Sequence, residues 1–362
     1  LLTHRARLRA RITIARGGIA FLVLTAILLA CVGISVFGSL DADSTLSRGA
    51  LTFAQLGGAT AVAFLMHDDE RARVALRQGA TLGVVMFLVL DVLAVMSFVG
   101  FLPAQVDIGT ATLRLDSYGY AGIIPRLSGT TIDPNNGGLL LLVFAVLAPR
   151  ARSLAVALLI LTLSRSAMLA GAVLAVVAAW EHGIAARTVP LRRVLVGIAL
   201  CIAGVLAVGR SPQALENAAR TLAPFAERVD LSSETGSAGT HGALVLRAAD
   251  EGSKSVTRAV FGLGWGASFV VLQDFFPGNR YGNFHSLYGT VFAELGVVAF
   301  FAMLFMLGGP LGRATQWRPA IAAFIAFNIF YQSTTVPAFW FVLALAWITV
   351  QTDIRPVPWR IA

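Results

Sequence analysis

Charge is scarce in this chain. Only 13% of its 362 residues are Asp, Glu, Lys or Arg, well under the ~25% of an ordinary soluble domain. So few charged side chains cannot cover a water-facing surface, which excludes a soluble globular domain. Lysine is nearly missing: Lys254 is alone among 28 basic residues, and the net charge of +9 comes from arginine. Those arginines sit in short connections between apolar runs. That is the positive-inside pattern of membrane proteins, so nucleic acid is excluded as a partner. Cysteine is limited to Cys31 and Cys201, each inside an apolar run. Two isolated residues of that kind imply neither a metal site nor a disulfide. Internal repeats and low-complexity tracts are absent as well.

What is present is apolar length. Residues of the apolar class make up 57% of the chain, gathered in runs of roughly 15 to 25, the length that crosses a bilayer as a helix. The expected fold is an all-α polytopic integral membrane protein with about ten transmembrane helices. Arg5, Arg7, Arg9, Arg11 and Arg16 should hold the N-terminus in the cytoplasm. Crossings are expected at 17–40, 49–66 and 79–102, with 67–78 a charged inner loop. A first sizeable outer loop covers 103–135 and ends in Asp133-Pro134-Asn135-Asn136, an Asp cap with Pro at the first helical position. A fourth crossing follows at 137–148. The chain starts at Leu1 rather than Met, and a preceding N-terminal piece is expected to be missing.

Ser153 to Trp180 decides the topology. Arg150 and Arg152 precede this apolar block and Arg187, Arg192 and Arg193 follow it, while Ser164-Arg165-Ser166 interrupts it. A single crossing would bury Arg165 near the midplane, at about 2.5–3.5 kcal/mol or more, and would put one basic cluster outside. A hairpin of two short helices with Arg165 at the outer turn avoids both. The seventh crossing is expected at 194–208 and the eighth at 285–309, separated by a large outer loop at 209–284. Two final crossings, at 320–334 and 337–351, leave both termini inside. The organisation is thus 1–135, N-terminal helices and first outer loop; 136–208, central helices with the hairpin; 209–284, the large loop; and 285–362, C-terminal helices. Within the loop, helical spacing is read at 212–229 and 241–249, joined by a mobile polar link at 231–240.

This topology gathers Arg126, Arg165, Arg247 and His285 on the outer side. Each could be an ordinary loop residue. Arg165 is less ordinary, because short apolar arms hold it close to the bilayer, where a guanidinium can grip a phosphate with paired N–H donors. His285 lies where the large loop meets a helix and is suited to act as a general base near pH 7. Asp91 and Glu294 lie inside apolar runs, and intramembrane acids are candidates for structural or proton-linked roles. Glu294 is expected to pair with another helix rather than with substrate. Gly262-Leu263-Gly264-Trp265-Gly266 lacks the Lys-Ser/Thr ending of a phosphate loop and reads as a flexible turn with Trp265 at the interface.

Four stretches together resemble the O-antigen ligase and polymerase superfamily of bacterial glycan transferases. They are Arg126-Leu127-Ser128-Gly129 with Asp133-Pro134-Asn135; Leu163-Ser164-Arg165-Ser166 in a hairpin; Arg247 ahead of Phe261-Gly262-Leu263-Gly264-Trp265-Gly266; and His285 followed by Glu294-Leu295-Gly296. The likeness covers roughly residues 118–309. It implies a multi-pass protein of the bacterial inner membrane whose active site is periplasmic. It also implies transfer of a glycan from an undecaprenyl-diphosphate carrier to a glycan, lipid or protein acceptor hydroxyl, without metal or other cofactor. Arg165 and Arg247 would bind the diphosphate, His285 would act on the acceptor, and Arg126 and Asn135 match a stretch that would also meet substrate. Two departures stand out: Ser286 follows the histidine where the family often has Asn, and ten crossings are counted where about twelve are common. A secondary transporter or lipid-linked glycan flippase is the alternative from another class, motivated by Asp91 and Glu294, and a non-catalytic scaffold is a third. The absence of an inverted repeat and the single large outer loop weigh against transport.

Overall fold

A computed structural model describes residues 16–66, 69–109, 111–115, 118–120, 124–129, 131, 133–181, 237–280, 282–312 and 317–348. The chain is mostly helical. It opens with α1 (Arg16–Ser35), α2 (Ala42–Met66) and α3 (Glu70–Phe98). Two small hairpins follow: β1 (Gln105–Ile108) pairs antiparallel with β2 (Ala111–Arg114), and β3 (Tyr118–Tyr120) with β4 (Ile124–Arg126). Next come α4 (Pro134–Leu147), α5 (Arg152–Leu161) and α6 (Arg165–Glu181). After residues 182–236 the described chain resumes with α7 (Ser237–Ser253), α8 (Val256–Phe261) and α9 (Ser268–Val271), then α10 (Leu287–Gly308), α11 (Arg318–Phe330) and α12 (Pro337–Ile348).

Among the described residues, four helices are long and apolar enough to cross a membrane, covering Gly18–Gly38, Ala42–Met66, Glu70–Phe98 and Leu287–Gly312. Shorter apolar helices occupy Pro134–Leu147, Arg165–Ala178, Arg318–Phe330 and Pro337–Ile348. The packing explains the difference in character. On α1 to α3, Ile19, Val23, Leu65, Leu82 and Val89 stay exposed, an apolar surface suited to lipid and not to water. By contrast α12 is buried from Phe339 to Ile348 except for the half-buried Phe341, packed against α2, α1 and α4. Its two indoles find carbonyl acceptors, as buried Trp N–H groups must: Trp340 Nε1 donates to Thr334 O at 2.9 Å and Trp347 Nε1 to Met306 O at 2.7 Å.

The helices overrun the expected crossings. α3 starts at Glu70, capped by Asp69, which accepts from the N–H groups of Arg71 and Ala72; residues 70–78 are thus helical turns and not loop. α2 likewise starts at Ala42. Hydropathy marks where a helix can touch lipid, whereas the helix itself ends where its backbone groups find a cap. The segment 103–135, expected as an outer loop, carries the two hairpins. Residues 237–240 are the first turn of α7, not part of a polar link. The expected crossing at 194–208 and the helix at 212–229 lie outside the described residues, as does Cys201.

The break between α5 and α6 falls at Thr162 to Ser164, with Leu163 in the left-handed region at φ +52°. Side-chain hydroxyls build this turn. Thr162 Oγ1 accepts from Ser164 N at 3.2 Å, and Ser164 Oγ accepts from Ala167 N at 3.3 Å, capping α6. Gly138 allows α4 to lie against this corner, since a Cβ there would stand 2.4 Å from Ala167 Cβ.

A candidate functional site at the rim of the helices

Four segments distant in sequence meet at one end of the helices. Asp133 caps α4, one carboxylate oxygen accepting from Asn135 N at 2.6 Å. Its other oxygen accepts from the Tyr331 hydroxyl at 2.7 Å, which ties the start of α4 to the turn between α11 and α12. The Asn135 side-chain oxygen accepts from Ser164 Oγ at 2.7 Å, so the residue before Arg165 is fixed to the same corner. Arg126, at the end of β4, donates from Nε to Thr162 O at 3.4 Å, and Leu127 N donates to Leu161 O at 3.4 Å. Arg126, Asn135 and Arg165 are thereby brought to one place.

His285 faces them from the other side. It holds φ +52°, a conformation that costs a non-glycine residue about 1–2 kcal/mol. Its N–H donates to Asn283 Oδ1 at 2.8 Å, and Ser286, one residue on, caps α10. Around the imidazole stand His241 edge-on at 5.0 Å between ring centres, Phe276 at 5.8 Å and Tyr331 at 6.3 Å. Burial lowers the His285 pKa, and the Asp133 carboxylate opposes that shift. The ring is therefore neutral at pH 7, with an anion placed to stabilise the cation formed when it accepts a proton. Burial and the Asp133 charge also raise the Tyr331 phenol above its ordinary range, while Asn135 and Arg126 act the other way. The phenol remains a hydrogen-bond donor.

His241, on the second turn of α7, is the residue that sequence reasoning missed. Its pKa is lowered to about 4, first by burial, then by His285 and by Arg165. Its Nδ1 is buried and makes no hydrogen bond. Nothing in the sequence around Thr240-His241-Gly242 sets it apart, and only the packing of α7 along α10 carries it to His285. Tyr331 was missed for the same reason.

Arg247 shares α7 but has other partners. It pairs with Glu251 at 3.4 Å and Asp250 at 3.8 Å, and donates to Val271 O at 3.4 Å. Glu251, only 1% exposed, also binds Lys254 and Arg258. This cluster joins α7 to α8, so the contacts of Arg247 lie within the loop region and not with His285.

The two acids inside long helices both hold loop backbone. Asp91 accepts from Gly129 N at 2.9 Å, pulling the segment after β4 onto α3. Gly129 sits at φ +54°, and a Cβ there would meet the Phe87 ring at 2.4 Å. Glu294 accepts from Gly266 N at 2.7 Å and Ser268 N at 3.1 Å. α10 is kinked at Gly296, at φ +81°; the carbonyls of Ala293 and Glu294 accept instead from Leu263 N at 2.8 Å and Gly264 N at 3.1 Å. Trp265 is only 2% exposed, its indole N–H donating to Thr52 Oγ1 at 2.8 Å and Arg48 lying 5.6 Å from its ring centre. The Gly-rich segment is therefore a buried joint between α1, α2 and α10, and not a flexible turn with an interfacial Trp. Gly262 lies against the backbone of α10, where a Cβ would stand 2.1 Å from Glu294 O, while at Gly264 and Gly266 a Cβ would meet the side chains of Ser39, Thr45 and Arg48.

Among the described residues no group of three or more His, Cys, Asp or Glu could hold a metal ion. The arrangement instead joins a neutral base, an anion behind it, and arginines near by. Such a site can take a proton from a hydroxyl and offset charge on an anionic leaving group. Set against models of known protein families, curated proteins and solved structures, the chain matches none of them.

Proposed function

We propose that this chain is a membrane glycosyltransferase. It moves an oligo- or polysaccharide from an undecaprenyl-diphosphate carrier to an acceptor hydroxyl, as an O-antigen ligase or a polysaccharide polymerase does. The observation that carries the reading is the meeting of His285, in ring contact with Tyr331, with a rim where Asp133 holds that tyrosine, Asn135 holds the residue before Arg165, and Arg126 binds the same corner. A carrier lipid fixes its diphosphate at the membrane surface, where such a rim is accessible from the bilayer.

In this reading the acceptor O–H gives its proton to the His285 imidazole as its oxygen bonds to the anomeric carbon. The bond from that carbon to the phosphate oxygen breaks, and the polyprenyl diphosphate leaves with the electron pair. Arg165 offsets the charge that grows on the diphosphate, so its stabilisation is greatest in the transition state. Arg126 and Asn135 shape the substrate side of the rim. A single displacement inverts the anomeric configuration. The proposal includes ten crossings, a bacterial inner membrane location and a periplasmic rim, with residues 209–284 as the large periplasmic loop.

A transporter or flippase reading is weakened by what Asp91 and Glu294 do. Each binds loop N–H groups, which gives both acids a structural task. The test is transfer by purified, reconstituted protein supplied with a polyprenyl-diphosphate-linked glycan and candidate acceptors added singly. Product from wild type and none from His285→Ala is expected. Movement of lipid-linked glycan across the bilayer without any product would sink the transferase.

A further inference from the structure

The end of α11 holds both halves of the rim. The three residues after His285 are each bonded to it. Ser286 Oγ donates to Asn328 O at 3.4 Å, Leu287 N to Tyr331 O at 3.1 Å and the Tyr288 hydroxyl to Ile325 O at 3.1 Å. α11 also packs along α6, whose first residue is Arg165. Tyr331 joins the two sides through its side chain. Its ring meets His285 edge-on at 6.3 Å and Phe327 at 5.6 Å between centres, and its hydroxyl donates to Asp133 at 2.7 Å. That carboxylate also accepts from Asn135 N, and Asn135 Oδ1 accepts from Ser164 Oγ. Bonded contacts thus run from Leu287, two residues past His285, through Tyr331 to Ser164, one residue before Arg165. The link from hydroxyl to carboxylate is charge-assisted, and such bonds are roughly twice as strong as neutral ones.

We propose that Tyr331 is a positioning residue for glycan transfer. It sets the spacing between His285 and the Arg165 corner, so that the acceptor oxygen, the anomeric carbon and the leaving phosphate oxygen lie in line. The inference rests on the transferase reading above. Tyr331 acts through Asp133 on one side and through the start of α10 on the other. Alignment of this kind matters steeply, since a displacement of about 1 Å can cost roughly a hundredfold in rate. Loosening it has a specific consequence. With the acceptor hydroxyl out of line, water bonds to the anomeric carbon in its place and gives a proton to His285. The polyprenyl diphosphate leaves with the electron pair, and the glycan is released with a free hydroxyl at that carbon. A tyrosine that only braced the fold would lower transfer and hydrolysis alike.

The test is the ratio of hydrolysed donor to transferred glycan, which does not depend on how much of the protein is folded. The full chain is reconstituted in vesicles with an undecaprenyl-diphosphate-linked oligosaccharide, and glycan, lipid and protein acceptors are added singly. Tyr331→Phe keeps the ring and the backbone carbonyl and removes only the hydroxyl. It should slow transfer roughly tenfold to a hundredfold and raise the ratio. Asp133→Ser retains a capping hydroxyl for α4 on a side chain too short to reach Tyr331 as well, and should do the same. Both substitutions cut one link, so the double variant should be no worse than either alone. A ratio unchanged in Tyr331→Phe, or losses that multiply in the double variant, overturns the inference and leaves the transferase intact. A wild-type chain that transfers glycan to none of the acceptors overturns both.

Discussion

The Gly-rich joint at Gly262–Gly266 and the rim around Leu163 and His285 both hold backbone in the left-handed region, with different residue types. In the joint, Gly262, Gly264 and Gly266 take φ +75°, +100° and +90°, angles that glycine adopts without steric penalty. The buried carboxylate oxygens of Glu294 both have N–H partners there. At the rim, Leu163 and His285 each take φ +52°, and the His241 Nδ1 is left unbonded. Strain on non-glycine residues and an unpaired buried polar atom are tolerated only where surrounding packing imposes them, and such features gather at functional sites. One region is built for stability and the other spends a little stability to hold a histidine in place.

That contrast can be broken at several points. The largest effect is expected from His285→Gly. Glycine suits φ +52°, so relief of about 1–2 kcal/mol offsets lost ring contacts and the melting temperature changes little. Transfer should fall roughly 10²- to 10⁴-fold. A large drop in melting temperature with activity retained would make the rim the structural region. Gly264→Ala comes next, at about 3 kcal/mol from the left-handed backbone together with overpacking, because its Cβ would stand 2.2 Å from Ser39 Oγ. Thermal unfolding should show that loss, while the protein that remains folded keeps its specific activity.

A smaller effect is expected in the pH profile. Burial lowers the His285 pKa below its ordinary ~6.5, so the base form persists and the acid limb of kcat/KM, which reports the free enzyme, should lie below pH 6.5. Asp133 raises that pKa. Asp133→Asn, which keeps the helix cap, should therefore move the limb to still lower pH; an upward move would show that Asp133 does not act on His285. The smallest change should come from Asp91→Asn, under about 1 kcal/mol, since the amide oxygen can still accept from Gly129 N. Loss of proton-coupled transport in that variant would revive the transporter reading.

Much of this arrangement was legible in the sequence for local reasons. Apolar run lengths located the long helices, the Asp133-Pro134 pair marked the start of α4, and Ser164-Arg165-Ser166 marked the break between α5 and α6. Asp91 and Glu294 stood out as acids in apolar surroundings. Their tasks were hidden, because the N–H groups they bind lie 38 and 26–28 positions away. The misreading of Gly262–Gly266 has the same origin: glycines look flexible until a kinked helix is packed against them.

Composition and hydropathy are sums over neighbouring residues, so the chain alone determined its helical class, its apolar lengths and the residue types able to do acid–base and anion chemistry. Which of those residues meet was decided only by tertiary packing. Tyr331 reaches Asp133 across 198 positions, and His241 reaches His285 because α7 lies along α10. Arg247, on that same helix, faces Glu251 instead. Six residues separate His241 from Arg247, and at about 100° per residue this turns the two side chains to different faces of α7.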